Sequence, residues 1–451
     1  MALGRQGERQ GELMVTWAEM PRSAGHVFYD RLQEVLLAGA FDGFAEALCA
    51  PRYAPKMGAP SIPPGRYFRM HLVGYFEGID SERGIAWRCA DSLSLREFPR
   101  LGERERAPDH SCLSKTRSRL PHEVHEEVFA WVLARLAAAG LVKGDRIGVD
   151  ASTMEANAAP RNIVRRDTGE GYWEMLEHLA QESGIETPTA EDLARLDRKR
   201  KGKKLSNKDW VSKRDPEAKI AKMKDGTAHL AYKPEHAVDL DTGAVVAAEL
   251  HPADEGDTTT LEKTLAAAKE NLASVDVAPT VEDPAECVTD KGYHSRAVLK
   301  ALDDGPWKTR IAEPKQKGFA RWHGDGAARR AVTNNRTRLL SGVAKEAFTL
   351  RAEIVERSFA HNLDRGGMRR PWLRGRDNVH KRSLLHVAGH NLSLLMRQLI
   401  GAGTPKEAVA GGYGALFVLV TPAGAVLIAQ IVPIISDDGE TALAAIGFAV
   451  Q

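Results

Sequence analysis

The sequence predicts an α/β protein in which a mixed sheet with flanking helices follows an all-α N-terminal domain. Apolar residues recur at three- and four-residue spacing within residues 27–105, which is the period of an amphipathic helix. Farther along, short β-branched runs alternate with helical patterns in the order three strands, helix, strand, helix, strand, helix. Two of these runs end in an aspartate, at the position where α/β sheets place functional groups.

The N-terminal region is expected to be helical in two parts. Helical spacing is clearest over residues 27–36 and 67–76, and a stretch rich in Pro and Gly, residues 51–66, separates them. Residues 92–98 and 108–120 then predict a short helix, a turn and a second helix.

The second of these helices would be capped by Asp109 or Ser111. The arrangement is similar to a helix-turn-helix, and a small helical bundle with a solvated basic face is the alternative. The candidate DNA contacts on this helix are Lys115, Arg117 and Arg119.

The predicted sheet begins after a helix from Val124 to Ala139, which Gly140 would end. Residues 145–153 form a β-branched run that carries Asp150. Residues 155–228 are polar and poor in apolar periodicity, which favours an insertion or a mobile linker. The elements expected after it are a hairpin over 229–250 that turns at 241–243, a helix over 258–272, a strand over 286–293 that carries Asp290, a helix over 295–302, a strand over 309–313 and a helix over 352–360.

Three carboxylates are the candidate catalytic and metal-binding residues: Asp150, Asp290 and Glu356. Taken singly, each aspartate is equally typical of a helix cap or a turn. Three converging carboxylates would repel one another, and a divalent cation relieves that repulsion. Oxygen-only ligands suit Mg²⁺ or Mn²⁺ better than zinc, and two such ions about 4 Å apart serve phosphodiester chemistry.

Four sequence blocks carry a resemblance to a known family. They are Ser-Leu-Arg-Glu-Phe with Pro-Asp-His-Ser-Cys-Leu-Ser within residues 94–114, Gly-Val-Asp-Ala-Ser-Thr at 148–153, Val-Thr-Asp-Lys-Gly-Tyr at 288–293, and Ile-Val-Glu-Arg-Ser-Phe at 354–359 followed by Arg369, Arg370 and Arg374. In this order the chain resembles bacterial insertion-sequence transposases of the DDE superfamily. The resemblance implies a ribonuclease-H-like catalytic domain with Asp150, Asp290 and Glu356 as its metal-binding triad.

The chain departs from the family near the third carboxylate, where a Tyr-Arg-Glu-Lys signature is expected. Arg351 lies one residue away from the expected arginine position, Phe348 stands near the tyrosine position, and Leu363 occupies the lysine position. Glu353 lies on the same helical face as Glu356. The motif favours Glu356, which leaves Glu353 as a solvated or ion-paired neighbour.

The distribution of charge points to DNA as the partner. The formal net charge is only +2. Three segments, 195–233, 314–351 and 365–382, together carry about +22, which leaves about −20 for the rest of the chain. Clustered Lys and Arg attract a phosphate backbone. The candidate DNA contacts in these segments are Arg198, Lys199, Arg200, Lys201, Arg351, Arg365, Arg369, Arg370 and Arg374.

The resulting hypothesis is a Mg²⁺-dependent nuclease and strand transferase that acts on double-stranded DNA, both element ends and target. The resemblance implies a homodimer or a higher assembly. No Gly-rich phosphate loop precedes a helix, so no nucleotide cofactor is expected. The alternative is a catalytically degenerate transposase that binds DNA without cutting it.

The expected domains are a helical DNA-binding domain over 20–122, a catalytic domain over 123–400 and an apolar tail over 401–451. The tail contains an uncharged stretch, residues 412–436, that is long enough on paper to cross a bilayer. Pro422, Gly424 and Pro433 divide it into pieces typical of short strands, so a membrane anchor is the lesser alternative. No secretory signal is recognisable, and a cytoplasmic, nucleoid-associated protein is expected.

Overall fold

The computed structural model describes residues 24–54, 58, 61–102, 105–200, 205–223, 226–315, 322, 324–410, 416–420, 426–435 and 441–450. Its N-terminal part is helical, as the spacing predicts. The helices are α1 (Ala24–Ala38), α2 (Phe41–Cys49), α3 (Pro64–Glu77), α4 (Glu82–Asp91), α5 (His110–Arg119) and α6 (His122–Ala138). The predicted end of α6 is confirmed, since Gly140 follows it with a φ of +73°.

The helix-turn-helix prediction is only half confirmed. Helix α5 begins after Asp109, whose carboxylate accepts a hydrogen bond from the backbone N–H of Cys112 at 2.9 Å, so Asp109 and not Ser111 is the cap. The helix expected before it is a single 3₁₀ turn, Leu93–Arg96. Pro99 explains the difference, because a proline disfavours helical geometry at the preceding residue and has no N–H to continue a helix.

The rest of the described chain is a sheet with helices around it. Its strands are β1 (Arg146–Ala151), β2 (Met154–Glu155), β3 (Ile163–Arg165), β4 (Trp210–Ser212), β5 (Lys219–Lys222), β6 (Ala228–Asp239), β7 (Val245–Pro252), β8 (Ala285–Thr289) and β9 (Trp307–Ile311). Its helices are α7 (Tyr172–Glu182), α8 (Ala190–Lys199), α9 (Asp257–Ala273), α10 (Arg296–Asp303), α11 (Gly326–Leu339), α12 (Val343–Phe359), α13 (Arg376–Ile400) and α14 (Pro405–Ala410).

Strand β1 is central in the main sheet. It pairs antiparallel with β6 and parallel with β8. The β6–β7 hairpin continues the sheet on one side, and β9 pairs parallel with β8 on the other. The order β7-β6-β1-β8-β9, with β2 and β5 also paired to β6, is a ribonuclease-H-like mixed sheet. The predicted fold class is confirmed.

The polar segment 155–228 contains ordered structure, which corrects the expectation of a mobile linker. Helices α7 and α8 pack around a small apolar core of their own, made by Leu176, Ala180 and Leu193. Strands β3 and β4 pair with each other, and β5 joins the main sheet. The segment's apolar side chains are buried in two places, because those of α7 and α8 form this separate core while Ile163 and Trp210 belong to the main core.

Helix α13 is a long element that the sequence patterns did not reveal. It contacts α6 and α3, and it is buried along most of its length. Several polar side chains are buried in it, among them Lys381 and Arg382. Because polar and apolar side chains alike are buried, they are not separated onto two faces, and the periodic pattern that makes a helix recognisable is absent. One continuous apolar core joins the N-terminal helices to the sheet.

The C-terminal segment contains an antiparallel three-stranded sheet of β10 (Leu416–Val420), β11 (Val426–Ile435) and β12 (Thr441–Val450). The expectation of strands within 412–436 is therefore confirmed for the described residues. The expected break at Pro433 is wrong, because β11 runs through Pro433, which pairs with Leu443. Within the part of the chain that the structure describes, no helix combines the length and the apolar character needed to span a membrane.

Candidate active site

Asp150 and Asp290 lie side by side at one edge of the sheet. The parallel register of β1 and β8 pairs Gly148 with Val288. Two residues farther on, this register brings Asp150 next to Asp290, which directly follows β8. Both aspartates are half-buried. Adjacent parallel strands thus bring together two carboxylates that lie far apart in the sequence.

Helix α12 lies directly against the strand that carries Asp150. A Cβ atom at Gly148 would stand 2.5 Å from Leu240 Cδ2 and 3.1 Å from Val355 Cγ2, closer than side-chain atoms normally approach. Only a glycine leaves room for this contact. Because Glu356 follows Val355, the contact also sets the height of Glu356 beside β1.

Arg351 on α12 contacts the first aspartate. Its Nη2 lies 2.7 Å from Asp150 Oδ2, and its Nε donates a hydrogen bond to the carbonyl oxygen of Val149 at 3.3 Å. Burial raises the pKa of Asp150 above its usual value. The Arg351 guanidinium opposes that rise, and the nearby carboxylates of Asp290 and Asp257 add to it. Arg351, expected to contact DNA, is placed against the catalytic candidate itself.

Glu356 and Glu353 differ in their surroundings. Glu353 forms an ion pair with Arg357, in line with the expectation of a solvated or ion-paired neighbour. Glu356 is exposed and makes no hydrogen bond or ion pair with any residue that the structure describes. Among those residues, no group of three or more His, Cys, Asp or Glu side chains is gathered as a metal site. Two of the three candidate carboxylates are adjacent, and the third, on the neighbouring helix, has no hydrogen-bond or ion-pair partner among the described residues.

The donors at this edge fit a hard divalent cation. Asp150 and Asp290 supply carboxylate oxygens, which Mg²⁺ and Mn²⁺ prefer. His236, opposite Asp150 on β6, is buried, and its ring stacks on Phe359 with centroids 4.2 Å apart. Burial lowers the pKa of His236 to about 3, so at neutral pH its ring is uncharged and packs as part of the core.

Four further residues surround the two aspartates, and the sequence patterns gave them no role. Asp257 begins α9, and its Oδ2 would lie 2.6 Å from a Cβ atom at Gly292, in the turn after Asp290. Lys233 Nζ lies 2.7 Å from Asp257 Oδ1. Glu235 is fully buried and accepts a hydrogen bond from the Tyr293 hydroxyl. A sequence signal existed, since Lys233 and Glu235 lie two apart on one face of a strand where buried charges are rare.

Glu235 is held as a carboxylate in the interior. Burial raises its pKa, but hydrogen bonds from His251 and Thr264 and the charge of Lys233 outweigh that effect, so the net pKa is below the usual value. Thr260 also donates to Glu235 Oε1, at 2.8 Å. A buried carboxylate with several donors is stable where an isolated one would not be.

The candidate DNA contacts divide into exposed and buried groups. Arg117 is buried in an ion pair with Glu82, so its guanidinium is engaged inside the protein. Arg200 is half-buried near Asp197. Lys201 lies outside the described residues. The exposed candidates are Lys115, Arg119, Arg198, Lys199, Arg365, Arg369, Arg370 and Arg374.

Acidic partners from other segments reduce the charge expected of the basic segments. Arg369 contacts Asp364 at 2.7 Å, and Arg370 lies 3.6 Å from Glu155. Exposed pairs of this kind are weak and exchange readily for a phosphate. On the folded surface, neighbouring carboxylates therefore neutralise part of the excess positive charge that was counted along the chain.

Two family models match the chain. Residues 21–119 match the Transposase domain (DUF772) and residues 181–392 match the Transposase DDE domain, which together cover about two thirds of the sequence. The second match includes Asp290 and Glu356, and Asp150 precedes it. No curated protein and no solved structure matches the chain. With its ribonuclease-H-like sheet and these two matches, the chain belongs to the DDE transposases of insertion sequences, DNA-binding nucleases that use divalent metal ions.

Proposed function

We propose that this transposase cuts DNA at the ends of its own insertion sequence and joins those ends to target DNA. The observation that carries the proposal is the parallel pairing of β1 and β8, which brings Asp150 and Asp290 together at the sheet edge. A phosphodiester is first hydrolysed at the element end. The freed 3′-hydroxyl then attacks a phosphorus atom of the target strand. The P–O bond to the target's own 3′-oxygen breaks as the new one forms, so that oxygen leaves as a hydroxyl and one phosphodiester replaces another.

Asp150 and Asp290 would hold the metal, and Glu356 would complete the set from α12. Two Mg²⁺ ions, when bound, supply a water of lowered pKa and stabilise charge on the leaving oxygen. The chain's own contribution is placement. Arg351 orients the carboxylate of Asp150, and Val355 seats α12 against β1.

DNA binding is assigned to the exposed basic side chains. In this proposal residues 20–122 bind DNA, residues 123–400 catalyse the reaction, and two or more copies hold the paired element ends. Lys115 and Arg119 are exposed on α5. Arg370 contacts Glu155, and Arg374 donates a hydrogen bond to the backbone carbonyl of Asn157, so both arginines lie near the start of the insertion.

The test is strand cleavage of a duplex that carries an element end, with Mg²⁺. Glu356→Gln and Glu353→Gln form a matched pair, since both remove one exposed carboxylate from α12. Loss of a residue that supports a metal ligand already lowers metal affinity or activity by about 10- to 100-fold. Loss of a ligand itself should therefore lower cleavage activity by more than about 100-fold. We expect that loss for Glu356→Gln and for Asp150→Asn, with Glu353→Gln close to wild type. Equal activity of the two glutamine variants would contradict the assignment of Glu356.

A catalytically degenerate DNA-binding protein is the second candidate. One observation favours it: Glu356 is not gathered with the two aspartates among the described residues. This candidate predicts that the wild-type chain binds element-end DNA but does not cleave it with Mg²⁺ or Mn²⁺. It also predicts that Asp150→Asn leaves metal binding, measured by titration calorimetry, unchanged.

A further inference from the structure

Glu235 lies beneath the two aspartates without taking part in the proposed chemistry. It is paired in register with Ala151, the residue after Asp150, on the neighbouring strand β6. Its side chain is fully buried. Fixed donors from β6, β7, α9 and the turn after β8 surround it, and these are Lys233, His251, Thr260, Thr264 and Tyr293. Such a carboxylate ties separate elements together at one point.

The donor from the turn after β8 belongs to the unit that carries Asp290. Asp290 caps this short turn, in which the N–H of Gly292 donates to Asp290 Oδ1 at 2.8 Å and Tyr293 is the last residue. The Tyr293 hydroxyl donates to Glu235 Oε1 at 2.8 Å, and the side chain is 1% exposed. The turn and its aspartate are thus anchored through the tyrosine ring.

This hydrogen bond spans the strand that carries Asp150. Strand β1, with Asp150, lies between β8 and β6. The hydrogen bond from Tyr293 to Glu235 therefore connects the strands on either side of the one that carries Asp150. Sliding or lifting of the Asp290 turn relative to Asp150 would break this bond.

A second link acts on the same turn through Asp257. Its carboxylate lies against Gly292. Lys233 holds Asp257 at 2.7 Å and donates to Thr260 Oγ1 at 2.9 Å, and Thr260 itself donates to Glu235. The two links share one buried network, so the Asp290 turn is held from both sides.

We propose that Tyr293 and Glu235 are positioning residues, which hold Asp290 beside Asp150 so that the two carboxylates can share a divalent cation. The inference rests on the proposed metal-dependent function. Partners outside the ligand set are typically worth about 10- to 100-fold in metal affinity. The ring of Tyr293 also fills space in the core. Tyr293→Phe keeps that ring and removes only the anchor.

The experiment is titration of the full chain with Mn²⁺, followed by calorimetry without DNA. The variants are Tyr293→Phe and, as the matched control, Tyr232→Phe. Tyr232 is also buried, and its hydroxyl also donates to a buried carboxylate, Asp215 Oδ1, at 2.7 Å. Asp150→Asn gives the baseline for binding outside the site.

We expect Tyr293→Phe to raise the Kd for Mn²⁺ by about 10- to 100-fold and Tyr232→Phe to change it by less than about twofold. Amide hydrogen exchange of residues 286–295 should become faster in Tyr293→Phe only. An unchanged Kd in Tyr293→Phe, or an equal rise in both variants, overturns the positioning role. Wild-type binding that does not depend on Asp150 overturns the proposed function instead, so the two failures are distinguishable.

Discussion

The contact between Gly148 and α12 gives the sharpest prediction about the site. In Gly148→Ala, the new methyl group would lie 2.5 Å from Leu240 Cδ2 and 3.1 Å from Val355 Cγ2. Optimal carbon–carbon contact is about 3.5–4.0 Å, so the first neighbour must retreat by roughly 1 Å. Overpacking of this kind costs about 1–3 kcal/mol in the free energy of unfolding. The second neighbour, Val355, lies on α12 with Arg351 and Glu356, and it must also give way. DNA cleavage should therefore fall while DNA affinity is kept.

The assay is urea denaturation of four chains: wild type, Gly148→Ala, Leu240→Ala and the double variant. Leu240→Ala alone should cost about 2–5 kcal/mol, because it removes a buried side chain. The space that it leaves accepts the methyl group at residue 148. Gly148→Ala should therefore cost about 1–2 kcal/mol less in that background than in the wild type. An identical cost in both backgrounds would refute the steric reasoning.

Three further predictions follow from the N-terminal helices and α13. Lys115→Ala should lower the slope of log affinity for DNA against log salt by about one, because an exposed phosphate contact is lost. Arg117→Ala should instead lower the melting temperature, because Arg117 and its partner Glu82 are buried together. Capping hydrogen bonds lower the pKa of Asp109 to about 2. The stabilisation that its charge provides is therefore complete above the pKa of the unfolded state, near 4, and is lost as the pH falls toward 2. The melting temperatures of wild type and Asp109→Asn should converge over that interval. Arg382→Met should cost about 1.5–3 kcal/mol in urea denaturation, since the buried guanidinium bonds His71 and the α3–α4 turn, and a variant as stable as wild type would contradict this.

The order of the strands and the position of each aspartate were predictable from local patterns. β-Branched runs and their endings depend on neighbouring residues, so Asp150 and Asp290 were identified before any contact was known. The cap at Asp109 and the end of α6 before Gly140 depend on equally local rules. These features are confirmed because short-range hydrogen bonding determines them.

Features that depend on distant contacts were missed or wrongly predicted. The long helix α13 is buried along most of its length, so its sequence does not separate a polar face from an apolar one. Arg117 lies on the basic helix α5 and Arg351 lies in a basic segment, yet each contacts a carboxylate contributed by another element. A count of charges along the chain does not include the acidic partners that folding brings next to each basic residue.

By itself, the sequence determined the two aspartates at strand ends, the order of the strands that carry or follow them and the family resemblance, since each follows from patterns a few residues long. The elements within 155–228 and helix α13 were not determined in this way. Only the tertiary structure decided which residues surround those aspartates. The network of Lys233, Glu235, Asp257 and Tyr293 joins β6, α9 and the turn after β8, and its members are up to 60 residues apart. The physical reason is that a buried charge is stable only with partners, and where those partners lie depends on how the whole sheet is paired.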